Sequence, residues 1–275
     1  MKGRRLIFFA YLCGMEENMR ISSVQNARIK RLVALQQKSA MRRESGIIVV
    51  EGQRELMHCA QAGHEVLAVY FCPALLGGPA DDYHCPCYEV THEVYEKIAY
   101  RGSTEGIIAE VRPRLLTLDD LHLPERPLLM VLEAVEKPGN LGAVLRSADA
   151  APADAVLVCD PLTDLYNPNI IRSSIGAIFT VPTVACTSEQ CIQFLKTHNI
   201  QILTAQLQDS HPYYATDMRR GTAIVMGTES TGLTDRWRQA ADAHIRIPMR
   251  GQLDSLNVSV SAAILLFEAI RQREG

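Results

Sequence analysis

The run Thr222-Ala223-Ile224-Val225-Met226-Gly227-Thr228-Glu229-Ser230-Thr231-Gly232 couples five apolar or β-branched residues to a polar loop bracketed by two glycines. A short, uninterrupted apolar run of this kind predicts a strand buried on both faces, as in a parallel sheet. Open parallel folds bind ligands just beyond the carboxyl ends of their strands, where this loop begins. Outward from it, similar strand-like runs recur at Leu128–Leu132, Ala155–Val158, Ile178–Val184, Ile200–Ala205 and His244–Ile247. Helix-like segments separate several of them: Asn140–Ala150, Asn169–Gly176 with Pro168 suited to the first helical position, and Ser188–His198 with Ser188 as N-cap. A last helix over about Val258–Gln272 places Val258, Ala262, Leu265, Leu266 and Ala269 on one face. The alternation predicts an α/β domain whose parallel sheet is covered by helices on both faces.

Upstream lies a second, smaller α/β text. A helix over Asn26–Gln37 buries Ile29, Leu32 and Val33 and leaves Arg28, Lys30 and Arg31 solvated. Strands follow at Ile47–Val50, Val66–Phe71 and Gly106–Val111. Between them come helices over Glu51–Ala62, ended by Gly63, and from Thr91 to Tyr100. Pro113, Pro124 and Pro127 mark residues 113–127 as a linker, although Leu115, Leu116, Leu118 and Leu121 need something to pack against. The division expected is therefore 19–112 and 128–275 around that linker, in keeping with the length of 275 residues.

The whole chain carries a net charge of −3, which argues against a nucleic-acid binder when read alone. The average conceals an asymmetry: residues 20–54 hold eight basic side chains against two acidic ones. Such a face is either simply solvated or binds phosphates. A hydrophobic content of 47% excludes a disordered chain, and no apolar run approaches a membrane span. Eight cysteines in 275 residues are too dilute for a disulfide scaffold. Cys13, Cys59, Cys72, Cys159, Cys186 and Cys191 read as small core residues, and Cys85-Pro86-Cys87 lacks the second ligand pair that a metal site needs, so none is assigned. Residues 1–18 pair Lys2, Arg4 and Arg5 with the apolar run Leu6–Cys13. They lack a small-residue cleavage site, and a cytoplasmic chain starting afresh at Met19 makes them an unstructured extension.

Three loops carry the chemistry. Glu136-Lys137-Pro138-Gly139-Asn140-Leu141-Gly142 runs into a helix bearing Arg146. There Asn140 can act as the cap, and the helix start favours an anion. Arg146 lies six positions beyond Asn140, offset by about 120° around the helix. Gly227 to Gly232 brackets the carboxylate of Glu229. Ile247-Pro248-Met249 leads through a polar loop to Ser255-Leu256-Asn257-Val258-Ser259, with Ser255 or Asn257 as the next cap. No G-x-G-x-x-G opens the domain and no P-loop occurs, so dinucleotide and nucleotide-triphosphate readings lose their support.

In this order and spacing the three segments resemble the SpoU (TrmH-like) family of RNA 2′-O-ribose methyltransferases, within the SPOUT superfamily. Asn140-Leu141-Gly142-Ala143-Val144-Leu145-Arg146 matches its N-x-G-x-x-x-R motif and Gly227–Gly232 its G-x-E-x-x-G motif. Ile247-Pro248-Met249 with Ser255-Leu256-Asn257-Val258-Ser259 matches the third. Ile21-Ser22-Ser23-Val24-Gln25-Asn26, Lys30-Arg31-Leu32 and Val49-Val50-Glu51-Gly52 are similar to the substrate-binding domain that often precedes the catalytic one. Pro152 stands where a glycine is common, and Thr228 where asparagine is frequent.

The resemblance implies a small N-terminal α/β RNA-binding domain and a C-terminal parallel-sheet domain tied in a trefoil knot, an exception to the no-knot rule. It implies S-adenosylmethionine held near Gly227, Ile247 and Leu256, and a homodimer formed through the C-terminal domain. Arg146 would be essential, with Asn140, Glu229, Ser255 and Asn257 fixing ribose and loops. It leaves open whether Arg146 is the base, against an intrinsic arginine pKa of about 12.5–13.8, or an electrostatic group. The implied substrate is ribosomal RNA of the large subunit ahead of transfer RNA. Alternatives are a knotted RNA-binding protein without turnover and a methyltransferase acting on a base nitrogen.

Overall fold

The computed structural model describes residues 19–76, 84–100, 105–228, 231–253 and 255–275. The predicted extension at 1–18 and the predicted site residue Glu229 lie outside the described residues. The chain forms two compact units, one reaching Arg114 and including Tyr166–Arg172, the other made of Leu115–Leu165 and Ser173–Gly275.

The first unit holds a five-stranded sheet in the order β1 (Arg20–Ile21), β4 (Cys87–Val90), β3 (Glu65–Phe71), β5 (Ile107–Arg112), β2 (Ile48–Glu51). β5 runs antiparallel to both β3 and β2, while β4 runs parallel to both β1 and β3. The helix Ala27–Gln37 starts at Asn26, whose side chain accepts from Arg28 N. Its Ile29, Leu32 and Leu35 join Tyr70, Val94, Tyr95 and Ile98 in the core.

The local cationic excess is partly consumed inside this unit. Arg42 is buried and donates to the carbonyls of Leu35 and Gln36. Arg31 pairs at 3.4 Å with the buried carboxylate of Glu110, which also accepts from Tyr70 Oη, and Arg28 lies 4.7 Å from the centre of the Tyr88 ring. Lys30, Lys38 and Arg43 stay exposed.

The second unit is built on seven strands, all parallel, in the order β10 (His211–Pro212), β12 (Ala243–Arg246), β9 (Gln201–Ala205), β11 (Thr222–Met226), β6 (Leu128–Glu133), β7 (Ala155–Cys159), β8 (Thr183–Cys186). Alternate residues of the central strands face opposite layers. Leu129, Val131, Leu157, Ala223 and Val225 meet Cys191 and Leu195 of the helix Ser188–Thr197 together with Trp237. On the other face the helices Pro138–Ala150 and Val258–Glu274 pack on each other and on the sheet. The last helix is tied down at its end: Arg273 donates to the carbonyls of Arg126, Pro127, Met218 and Arg220, and burial lowers its pKa.

Three local expectations are corrected. The helix after β6 begins at Pro138 with Lys137 as cap, so Asn140 sits inside its first turn rather than at the cap. Thr187, not Ser188, caps the helix Ser188–Thr197, through a reciprocal box with Gln190. Ile178–Val184 is not one strand: Ala177–Thr180 is a helical turn, and β8 starts only after Pro182, which has no N–H for the ladder. The proline-marked segment after Arg114 is packed. Leu116 bridges to Val184, and Leu116, Leu118, Leu121 and Leu123 cover the second unit's core, while Leu115 is exposed.

Candidate functional site

β6 is the point at which the chain order reverses. β7 and β8 are added on one side, and the chain then crosses to β9 on the other, leaving a place that β11 fills later. A parallel sheet opens a crevice beside such a switch, at its carboxyl edge. The loops after β6, β9, β11 and β12 all leave from that edge.

Two cavities lie among these loops. The first, about 340 Å³, is lined by Glu136, Lys137, Asn140, Gly227, Thr228 and Val258, among others. The second, about 140 Å³, is lined by Gln206, Met226, Ile247, Met249, Ser255 and Leu256, with other strand-end residues. The predicted positions Asn140 and Gly227 thus share one cavity, and Ile247, Ser255 and Leu256 the other. Asn257 joins the loops: its Nδ2 donates to Asn140 Oδ1 at 3.1 Å, and its Oδ1 accepts from Ser259 N and Oγ at the helix start. Asn140 makes this contact from inside the first turn of the helix Pro138–Ala150. Arg146 lines neither cavity; it is exposed further along the same helix, without a side-chain partner among the described residues.

Two of the three motif glycines, Gly142 and Gly227, are required by space. Neither has a positive φ. A Cβ on Gly142 would lie 1.9 Å from Ser173 Oγ and 2.8 Å from Ser174 N. A Cβ on Gly227 would lie 2.3 Å from the Gly232 carbonyl, because the loop closes on itself through Gly232 N to Thr228 O at 3.1 Å and Thr228 N to Gly232 O at 3.3 Å.

Sequence reasoning missed two features. Gln206 is the first polar residue after β9. Its Oε1 is buried at the second cavity and unpartnered among the described residues, while its Nε2 donates to Gln208 O. A search of every strand end for polar residues, rather than for glycines alone, would have found it. Glu133, the last residue of β6, is buried and accepts from Thr234 N at 2.9 Å and Thr234 Oγ1 at 2.7 Å. Ser188 Oγ lies 3.3 Å from the same carboxylate, donates to Asp160 at 2.6 Å and accepts from Trp237 Nε1. This brace holds the exit of the Gly227–Gly232 loop. Glu133→Ala should leave buried donors unmatched and cost about 1–3 kcal/mol of stability, measured by urea unfolding; a variant as stable as the parent would show the brace to be idle.

The lining of the second cavity suits the ring of an adenosine-type cofactor. Met226, Ile245, Ile247, Met249 and Leu256 supply apolar walls for a flat ring, strand-end backbone offers hydrogen bonds, and the orphaned Gln206 Oε1 calls for an N–H donor. Among the described residues no helix is long and apolar enough to cross a membrane.

Comparison with known proteins agrees with this geometry. Residues 127–267 match the SpoU rRNA Methylase family, and residues 26–109 match an MRM3-like substrate binding domain. A 23S rRNA (guanosine-2′-O-)-methyltransferase RlmB of Vibrio vulnificus (strain CMCP6) is 37% identical over 191 residues, covering 67% of this chain and 77% of that protein. A solved RNA 2′-O ribose methyltransferase is 39% identical with a TM-score of 0.82, covering 94% of this chain and all of the other. An AdoMet-bound rRNA methyltransferase from Sinorhizobium meliloti is 26% identical with a TM-score of 0.84, covering 92% and 97%. With its three loops gathered at the switch point of a parallel sheet and its sequence matched over more than half its length, the chain belongs to the SpoU rRNA methylase family.

Proposed function

We propose that this protein transfers a methyl group from S-adenosylmethionine to the 2′-hydroxyl of a guanosine ribose in 23S ribosomal RNA, in the cytoplasm. The observation that carries the reading is the convergence of the Asn140, Gly227, and Ile247–Asn257 segments on two adjoining cavities at the carboxyl edge of the sheet. Mapping ribose methylation in total RNA from cells with and without the protein tests it. Loss of one 2′-O-methylguanosine in large-subunit RNA is the expected result; an unchanged ribosomal RNA map, or a methyl lost from transfer RNA instead, overturns it.

The bound cofactor supplies an electrophilic methyl group on a sulfonium. The protein has to align that methyl with the ribose oxygen and favour the alkoxide. Gly227, Ile247 and Leu256 would hold the cofactor through backbone groups and apolar contact. Asn140 and Asn257, already hydrogen-bonded to each other, would fix the loops around the ribose, with Ser255 beside them. Glu229 takes its place here from the sequence motif alone. Arg146 would grip the neighbouring phosphate bidentately and stabilise negative charge on the 2′-oxygen.

Residues 19–112 would form the RNA-binding domain, 113–127 the connection and 128–275 the knotted methyltransferase domain. The strand order supports the knot: β11 enters late between β6 and β9, and the chain then passes β12 before returning as the helix Val258–Glu274 against Pro138–Ala150. The protein would act as a homodimer. Val260, Ile264 and Phe267 recur at helical spacing along the last helix, and Val260 and Phe267 are each 48% exposed, leaving an apolar stripe for a second copy. An Arg146 that stands outside its own chain's cavities suits service in the partner's site.

Lys30, Lys38 and Arg43, the exposed cations left over from internal pairing, would meet RNA phosphates. Replacing all three with alanine should weaken RNA binding and shrink the slope of log affinity against log salt by about 2–3. An unchanged slope in a filter-binding titration would remove these residues from the RNA interface.

A further inference from the structure

Three thiols from two stretches of the sequence meet in the second unit. Cys159 ends β7, Cys186 ends β8, and Cys191 lies in the helix Ser188–Thr197. Cys159 and Cys186 face each other in register across parallel strands with their sulfurs 3.9 Å apart, and all three sulfurs lie within 4.8 Å of one another. A metal held at about 2.3 Å by each thiolate sets its sulfurs about 3.8–4.0 Å apart, whether tetrahedral or trigonal. One edge of that polyhedron is therefore already formed, and a small torsional adjustment closes the others.

We propose that Cys159, Cys186 and Cys191 bind a single thiophilic d10 cation, of the cuprous or zinc class, through three thiolates. Soft sulfur donors select such ions. Cys159 and Cys191 are fully buried, while Cys186 is partly exposed and lines a cavity with Ala185, Glu189 and Gln190, so an ion has an entry path and an open coordination position. The site adjoins the brace under the cofactor loop: Cys159 is paired with Glu133, and Asp160 holds Ser188. A bound ion would fasten the ends of β7 and β8 to the following helix and steady that brace without entering the methyl transfer.

The test uses the full chain, reduced with a phosphine and titrated with Cd(II), whose thiolate complexes absorb in the ultraviolet. A Cys85→Ser background removes the Cys85–Cys87 pair as a competing ligand. One equivalent should bind with a thiolate charge-transfer band and raise the Tm. Cys186→Ser should weaken binding at least tenfold and abolish the Tm rise, and Cys191→Ala should do the same. Cys59→Ser, at a buried thiol outside the cluster, should change neither, which separates loss of ligands from damage to the fold. Absence of the band in the reduced Cys85→Ser protein, or binding that survives both Cys186→Ser and Cys191→Ala, overturns the proposal.

Discussion

Arg146→Ala should lower kcat by at least about 10²–10³-fold while leaving S-adenosylmethionine affinity within about twofold of the parent. The reasoning begins with position. Arg146 lines neither of the two cavities and, among the described residues, makes no side-chain contact whose loss would disturb the loops. Stability and cofactor binding should therefore pass through the substitution untouched, and the whole effect should fall on the chemical step. Arg146→Lys separates the two roles open to the residue. A lysine keeps a positive charge and loses the planar fork that grips a phosphate bidentately. If Arg146 works electrostatically, the lysine variant recovers part of the rate and its pH profile follows the parent's. If Arg146 removes the ribose proton, lysine, with an intrinsic pKa of about 10.4, should outperform arginine and bring a new ionisation into the profile. Labelled methyl transfer to RNA read against calorimetric cofactor affinity measures both. Full turnover by Arg146→Ala would sink the assignment.

The sequence made the fold legible where one signal dominated. The β11 run Thr222–Met226 carries no competing pattern, and it and the buried face of the last helix both stand where the periodicity placed them. It misled where two signals overlapped. Asn140 is a good capping residue, but Pro138 is a better first helical residue, and the helix obeyed the proline. In Ile178–Val184 the apolar run concealed Pro182, whose missing N–H decides where the ladder starts. The segment with three prolines read as a connection because proline speaks of backbone. Its leucines, spaced by that irregular backbone, have no period to betray that they cover a core. The site was legible as motifs and illegible as geometry. Nothing in the sequence pairs Asn257 with Asn140, and nothing marks Glu133 as more than the last residue of a strand, because both depend on contacts made across more than a hundred residues.

Gly227→Ala should reduce S-adenosylmethionine affinity by about tenfold or more and remove most activity, with a stability loss of about 1–3 kcal/mol from overpacking. The new methyl would meet the Gly232 carbonyl carbon and oxygen at 2.3 Å and Leu233 N at 2.5 Å. All three are backbone atoms, so no side-chain rotation relieves the clash, and the loop has to open. Opening it breaks the paired Thr228–Gly232 hydrogen bonds and shifts the wall of the first cavity, while the Glu133–Thr234 brace resists the movement from the other side. Because Gly227 does not have a positive φ, the effect is steric rather than conformational, and a variant that binds cofactor like the parent would show that the loop yields freely. The two damaged proteins can also be set against each other. In a two-fold dimer whose cofactor loop and arginine come from different chains, mixing Arg146→Ala with Gly227→Ala and allowing subunits to exchange creates one intact site in each mixed dimer. Half of all dimers are then mixed with one working site of two, so roughly a quarter of the parent activity should return. If each chain uses its own arginine, every site carries a defect and mixing restores nothing.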